Sequence, residues 1–288
     1  MKKAVCVVSG GMDSVTNAIM LLKEGYEVTF FHVNYGQKCE LGELLACQAI
    51  VEGLRARNYP VDLVLKDISL PWVKDNALIN PEREIPDGFQ DLYRSTLPDL
   101  FVPSRNVIFL AYAASLAEAI GADVITLGCN QSEGLSEGGE YGYGDNTLEF
   151  LNLFTRVLEL GCFHHKPIVT SPEWELDKVG IVKWIFDNGF GEILRHAWSC
   201  DSSPYYNRLP TTSREDLLMC GRCGCDRNRR LAFHILEKMY PGQYPDEQEY
   251  ADAFWFSDRF LPRLREEGIP IGIWFSKYAK LLGCEIHD

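Results

Sequence analysis

Long apolar runs are what this 288-residue chain lacks first: none approaches the ~18 residues of a membrane-spanning helix, which excludes a helical integral membrane protein. Lys2-Lys3 imitates the basic start of a secretory signal, but the apolar stretch behind it ends at Ser9-Gly10-Gly11, with no cleavage site. The expected location is the cytoplasm. Positive charge is also short, with 28 Lys and Arg against 41 Asp and Glu and a net charge of −13. Binding to a nucleic-acid backbone is carried mainly by Lys and Arg, so a large nucleic-acid partner is disfavoured. No stretch has the composition of a linker. One large α/β domain with appendages, or two small domains, is the expected organisation. Finally, the glycine turn near the N-terminus has no lysine of the Gly-x-x-x-x-Gly-Lys-Ser/Thr kind, which excludes a Walker A loop.

What is there instead is Val5-Cys6-Val7-Val8-Ser9-Gly10-Gly11-Met12-Asp13-Ser14, followed by helical periodicity from Val15 to Lys23. An apolar run that breaks into Ser-Gly-Gly and restarts as a helix reads as strand, tight turn and helix N-terminus. Such a turn is an anion site: glycines allow positive φ and close backbone approach, and the first amides of the helix point at the ligand. Ser9 and Ser14 add hydroxyls at its rim. The hexamer Ser9 to Ser14 matches the SGGxDS signature of the PP-loop ATP pyrophosphatases, enzymes that cleave ATP between the α and β phosphates and activate a carbonyl or carboxyl oxygen as its adenylate.

Strands are expected at Glu27–Val33, Val61–Leu65, Asp123–Gly128 and Pro167–Val169. Helices are expected at about Glu40–Arg57, Val107–Ile120 and Thr147–Leu160, with another opening at Asp177-Lys178. Strands alternating with helices imply a parallel sheet with right-handed crossovers, whose ligands bind at the carboxyl ends of the strands. Ser9-Gly10-Gly11 and Tyr35-Gly36-Gln37 both fall there and are expected to share one pocket. Arg105 stands just before a helix start, an unfavourable place for a cation unless it faces an anion, and Lys178 could reach a phosphate as a point charge. Residues 69–100 read as a long binding loop, and the glycine-rich segment 133–145, with Tyr141 and Tyr143, as a loop that closes over something planar. Gln37, Asn130, Gln131 and Tyr143 carry the paired donors and acceptors that a purine-like edge needs.

Ten cysteines divide into two groups. Cys6, Cys39, Cys47, Cys129, Cys162 and Cys284 are scattered and read as buried thiols acting as small hydrophobes. Cys200, Cys220, Cys223 and Cys225 are clustered. Cys220-Gly221-Arg222-Cys223 is a metal knuckle, two thiolates three residues apart, and with Cys200 it calls for a closed, structural zinc site. The fourth ligand is Cys225 or Asp226. Asp226 has the better spacing, and the softer thiolate favours Cys225.

Taken together, these residues resemble the 7-cyano-7-deazaguanine synthases, the QueC family of PP-loop enzymes. The resemblance runs through Ser9 to Ser14, Tyr35-Gly36-Gln37, Phe101-Val102-Pro103-Ser104-Arg105-Asn106, Gly128-Cys129, Asp177-Lys178, Ser199-Cys200 and Cys220 to Cys223, with Arg229 beyond, and covers roughly residues 3–233. It implies a Rossmann-like, adenine nucleotide alpha hydrolase-like domain over 1–195, a small zinc-binding lobe over 196–233 and a helical, aromatic-rich C-terminal extension over 234–288, often in a homodimer. It also implies ATP, Mg²⁺ and structural Zn²⁺ as cofactors, and 7-carboxy-7-deazaguanine and ammonia as substrates. Ser9, Gly10, Gly11, Met12 and Ser14, with Tyr35 and Gln37, would hold the nucleotide; Asp13, Arg105 and Lys178 would serve catalysis. Three features depart from the family: Cys225 out of its usual step, the long 133–145 segment, and the extension, whose aromatics suit packing or a dimer contact. These departures admit a relative that couples the activated acid to another amine, such as the terminus of a protein partner; a PP-loop tRNA-modifying enzyme and a non-catalytic nucleotide sensor lie further off.

Overall fold

The structure is a computed structural model that describes residues 1–89, 99–130, 143–207, 211–245, 249–270 and 274–287. Gln131, Tyr141 and most of the glycine-rich 133–145 segment lie outside these residues. A five-stranded parallel sheet is the frame. Its strands are β1 (Lys3–Val7), β2 (Glu27–Asn34), β3 (Val61–Asp67), β4 (Val124–Leu127) and β5 (Ile168–Thr170). The helices between them are α1 (Met12–Lys23), α2 (Glu40–Ala56), α3 (Arg105–Ile120) and α4 (Leu148–Gly161). Each expected strand and helix is present, with ends shifted by up to three residues.

The apolar character of the inner strands β1, β2 and β4 follows from burial on both faces, as the middle of a parallel sheet requires. Along β1 and the residue after it, Ala4, Cys6 and Val8 enter one core and Val5 and Val7 the other. On the Val5 side the cover is α3 and α4, through Leu110, Ala113, Ala117, Leu151 and Leu158. On the Cys6 side it is α1, α2 and α5 (Lys178–Asp187), with α6 (Gly191–Arg195) and α7 (Gly224–Met239) beyond. This second core continues without a break into the C-terminal segment. Trp255, Phe256, Phe260, Phe275 and Leu282 belong to the same cluster as Ile19, Ile50, Ile181 and Ile235.

The strand order β3-β2-β1-β4-β5 reverses direction between β1 and β4. A crevice opens at the carboxyl ends of the strands at such a point. Gly128, just after β4, makes the approach close: a Cβ there would lie 2.7 Å from the backbone N of Ser14.

Candidate functional site

The turn after β1 is built as its glycines predict. Gly10 takes φ +78° and backs onto α2, where a Cβ would meet the Cβ of Ala46 at 2.9 Å and the carbonyl oxygen of Glu43 at 3.0 Å. Gly11 is the N-cap of α1 and no side chain caps that helix, so the orphan amides of its first turn are left to an anion. The two serines hold the turn in shape. Ser14 Oγ accepts from Ser9 N at 3.3 Å, and Ser9 Oγ accepts from Gly11 N at 3.3 Å.

Around this turn lies a cavity of roughly 270 Å³. Ser9, Gly11, Met12, Asp13, Ser14, Tyr35, Arg105 and Lys178 line it; Gly10 and Gln37 stand behind its wall. Asp177 caps α5, its carboxylate accepting from Gly180 N at 2.8 Å, and so sets Lys178 at the first helical position. Lys178 is not a surface lysine. Its Nζ pairs with Asp13 Oδ2, which also accepts from Asn130 Nδ2 at 3.0 Å. A carboxylate from α1, a cation from α5 and an amide from the end of β4 thus meet at the mouth of the anion turn.

Arg105 is the first residue of α3, behind Ser104 in the left-handed region at φ +56°. Its Nη1 donates to Tyr35 Oη at 3.2 Å and its guanidinium lies 5.9 Å from the centre of the Tyr35 ring. Burial acts to weaken the guanidinium's hold on its proton, but Tyr35 and the negative charge of Glu43 and Asp145 more than offset it, and the net shift is upward. The Nη1 hydrogen bond is to a neutral hydroxyl, so the guanidinium keeps its positive charge beside the cavity. Gln37 is buried and internally engaged: Oε1 accepts from Tyr35 N at 2.8 Å, and Nε2 donates to Glu43 Oε2 at 2.7 Å.

The far wall comes from the segment 198–201 and the start of α7. Trp198 N donates to Gly10 O at 2.9 Å, a bond that ties this wall to the anion turn. Arg214 and Arg229 hold the wall from behind, donating to the carbonyls of Ala197, His196 and Leu194. Arg214 also stacks over Trp198 at 4.7 Å, and burial, with Arg229 nearby, lowers its guanidinium to about 10.

Behind this wall, Cys200, Cys220, Cys223 and Asp226 converge, all buried, with one ligand atom from each within 4.8 Å of the others. A tetrahedral ion with Zn–S bonds of about 2.3 Å needs sulfurs about 3.8 Å apart, so the spread suits one ion. The donor set is prepared for it. Gly221 takes φ +80°, letting the amides of Arg222 and Cys223 point at Cys220 Sγ, each at 3.3 Å. Asp226 Oδ2 accepts from Gly221 N at 2.7 Å, while the buried Oδ1 has no hydrogen-bond partner among the described residues. Hydrogen bonds with Cys200 and Cys223 pull the Cys220 thiol well below its ordinary value, whereas burial pushes Cys200, Cys223 and Asp226 up.

Here the structure corrects the preference for Cys225. That thiol is exposed, lies 3.5 Å from Asp201 Oδ1 and lines the cavity instead of joining the cluster. The reason is helical geometry: Cys223 caps α7, residues three apart share a helix face, and residues two apart do not. Asp226 is in step with Cys223; Cys225 is out of it. The six scattered cysteines are free thiols, buried except for the half-buried Cys284, and burial raises Cys6 to about 12.

Glu43 and His32 are among the cavity residues that escaped the sequence reading. A signal for Glu43 did exist: it lies four residues after Cys39 and four before Cys47, an acid on the apolar stripe of α2.

Among the described residues no helix is long and apolar enough to cross a membrane. The family described as queuosine biosynthesis protein QueC matches residues 3–237. The 7-cyano-7-deazaguanine synthase of Methanococcus maripaludis strain C6 is 31% identical over 246 residues, 84% of this chain and 98% of that protein. That of Methanocaldococcus jannaschii is 34% identical over 242 residues, 80% of this chain and 94% of its own length. Among solved structures, the U34-tRNA thiolase NcsA of M. maripaludis with its [4Fe-4S] cluster gives a TM-score of 0.39 at 15% identity, covering 84% of this chain and 68% of that one. A 4-thiouridine synthetase–RNA complex with bound ATP gives 0.40 at 16%, covering 98% and 52%. With a family match over most of its length and relatives that it spans almost from end to end, the chain belongs to the QueC family.

Proposed function

We propose that the chain is an ATP-dependent 7-cyano-7-deazaguanine synthase acting on 7-carboxy-7-deazaguanine. The observation that carries this reading is the meeting of the anion turn with Asp13, Lys178 and Arg105 in one cavity, in a chain of the QueC family. A carboxylate is a poor electrophile, and its conversion into a mixed anhydride supplies a leaving group. A carboxylate oxygen attacks the α-phosphorus of ATP and pyrophosphate departs. The nitrogen of ammonia then attacks the acyl carbon, AMP leaves with the bonding electrons, and loss of one proton from nitrogen leaves the amide. In a second round the amide oxygen attacks the α-phosphorus of another ATP. Loss of AMP and of the remaining protons from nitrogen gives the nitrile.

The task left to the protein is orientation and charge stabilisation. On this reading the amides of the turn and of α1, with Ser9, Gly10, Gly11, Met12 and Ser14, cradle the leaving pyrophosphate. Lys178 answers the charge developing there, and Asp13 fixes Lys178 until the nucleotide arrives. Arg105 neutralises charge on the acid or the α-phosphate, and Tyr35, with Gln37 behind it, holds Arg105. Mg²⁺, when bound with ATP, would screen the phosphates. Zn²⁺ fits the Cys200, Cys220, Cys223 and Asp226 donors as a structural ion that fixes the wall of the cavity.

Mass spectrometry after incubation with ATP, Mg²⁺, ammonium and 7-carboxy-7-deazaguanine tests the proposal, with the nitrile, AMP and pyrophosphate as the expected products. Adenylation without amination would overturn ammonia as the nucleophile and turn the search to another amine. No release of pyrophosphate with the acid present would sink the reading altogether.

A further inference from the structure

Both ends of the Gln37 amide are engaged, so it cannot read a base; what it does is hold Glu43. The Glu43 carboxyl is partly buried and lines the cavity. Enclosure raises it above the ordinary carboxylate range, with His32, Gln37 and Arg105 acting in the opposite direction. His32 lines the same cavity and is 1% exposed. Its Nδ1 lies 2.8 Å from Val8 O, which can only accept, so Nδ1 carries a hydrogen and the neutral ring has its lone pair on Nε2. That Nε2 is buried and has no hydrogen-bond partner among the described residues. A buried polar atom left unpaired costs about 1–3 kcal/mol, a cost that a donor on a ligand would remove.

The wall therefore offers two fixed acceptors, Glu43 and His32, beside the rings of Tyr35 and Phe109, whose centres are 5.5 Å apart. A guanine-type edge presents adjacent ring N–H and amino donors, and a carboxylate with an imidazole lone pair matches them. An adenine edge presents its amino donor beside a ring acceptor, which two acceptors would repel. We propose that Glu43 and His32 are the specificity-determining residues for the 2-amino-4-oxopyrimidine edge of the substrate. This rests on the deazaguanine reading above and names how the ring is held.

Calorimetric titration with 7-carboxy-7-deazaguanine and with its analogue lacking the 2-amino group tests the assignment. The wild-type protein should prefer the amino compound by about tenfold or more, as a bidentate edge contact gives. Glu43→Gln should bring the two within about threefold, His32→Phe should lose part of the preference, and both should bind α,β-methylene-ATP as the wild type does. Equal affinities in the wild type would overturn the inference without recourse to any variant. So would a Glu43→Gln protein that keeps its preference, or one that loses nucleotide affinity instead. Turnover of the acid without this selectivity would sink the inference alone; selectivity without turnover would sink the proposed reaction and leave the inference standing.

Discussion

Asp13 bonds to Lys178 and Asn130 at the mouth of the anion turn, so graded changes there bear on chemistry and folding to different degrees. Asp13→Asn keeps the shape but removes the charge that holds Lys178, and pyrophosphate release should fall by about 100-fold or more. Thermal melts would report the fold; full activity in the variant would refute the role. Asp13→Ala should be worse on both counts, since it removes the charge and also the oxygen that Lys178 Nζ and Asn130 Nδ2 both reach. Glu43 supplies a pH signature. Its carboxyl is raised in the folded state, so the native protein holds the proton longer than the unfolded chain does. That stability is present below the unfolded pKa and is lost as pH rises through the folded value. Glu43→Gln should therefore melt higher than wild type at pH 8 and lose that advantage towards pH 4.5, and an equal gap at both would refute the raised carboxyl. The hexamer Ser9 to Ser14 was legible because its geometry is local. The Asp13–Lys178 pair, 165 residues apart, was not, because only the crossovers of the sheet bring α1 and α5 together.

The segment that carries Trp198 packs on α2 and donates to the anion turn, and its seat is Gly42: a Cβ there would lie 2.3 Å from the indole ring. Gly42→Ala should displace the indole and weaken nucleotide binding with only a modest loss of helix α2, whose propensity alanine improves. Tryptophan fluorescence with a nucleotide titration checks this; unchanged emission and affinity would show that the wall yields freely. The metal knuckle at the start of α7 gives a sharper contrast. Cys223→Ser should lose bound zinc and melt lower, whereas Cys225→Ser should keep one equivalent of zinc, as read by elemental analysis. Loss of zinc from Cys225→Ser would restore that thiol as a ligand. Spacing alone left Cys225 and Asp226 in competition, and the helix start separates them: with Cys223 as the N-cap, Asp226 is one turn on and returns to the cluster of Cys200, Cys220 and Cys223. The inner strands were legible for a different reason, since apolar runs buried on both faces leave few other readings, while the start of α3 depended on a left-handed Ser104 that no pattern announces.

Residues 238–288 lie beyond the family match, yet many of the described side chains among them belong to the same interior. Phe256, Phe260, Leu264, Ile269, Phe275 and Leu282 are each less than a tenth exposed and share one cluster with Ile181, Leu231 and Ile235. At about 1.5–3 kcal/mol for each large apolar side chain buried, this contribution is comparable with the 5–15 kcal/mol by which a whole domain is stable. The segment also reaches the site. Tyr278 Oη donates to Asp177 Oδ2 at 3.1 Å, and Lys277 pairs with the same carboxylate, the one that caps α5 and sets Lys178 in place. A chain cut after Met239 keeps every residue of the family match and every ligand of the metal knuckle, but it leaves the α5–α7 face bare. It should be insoluble or melt far below the full chain, and its loss of ATP cleavage should accompany that instability. A soluble 1–239 protein with a cooperative melt and full activity would show instead that the aromatic segment is an independent appendage.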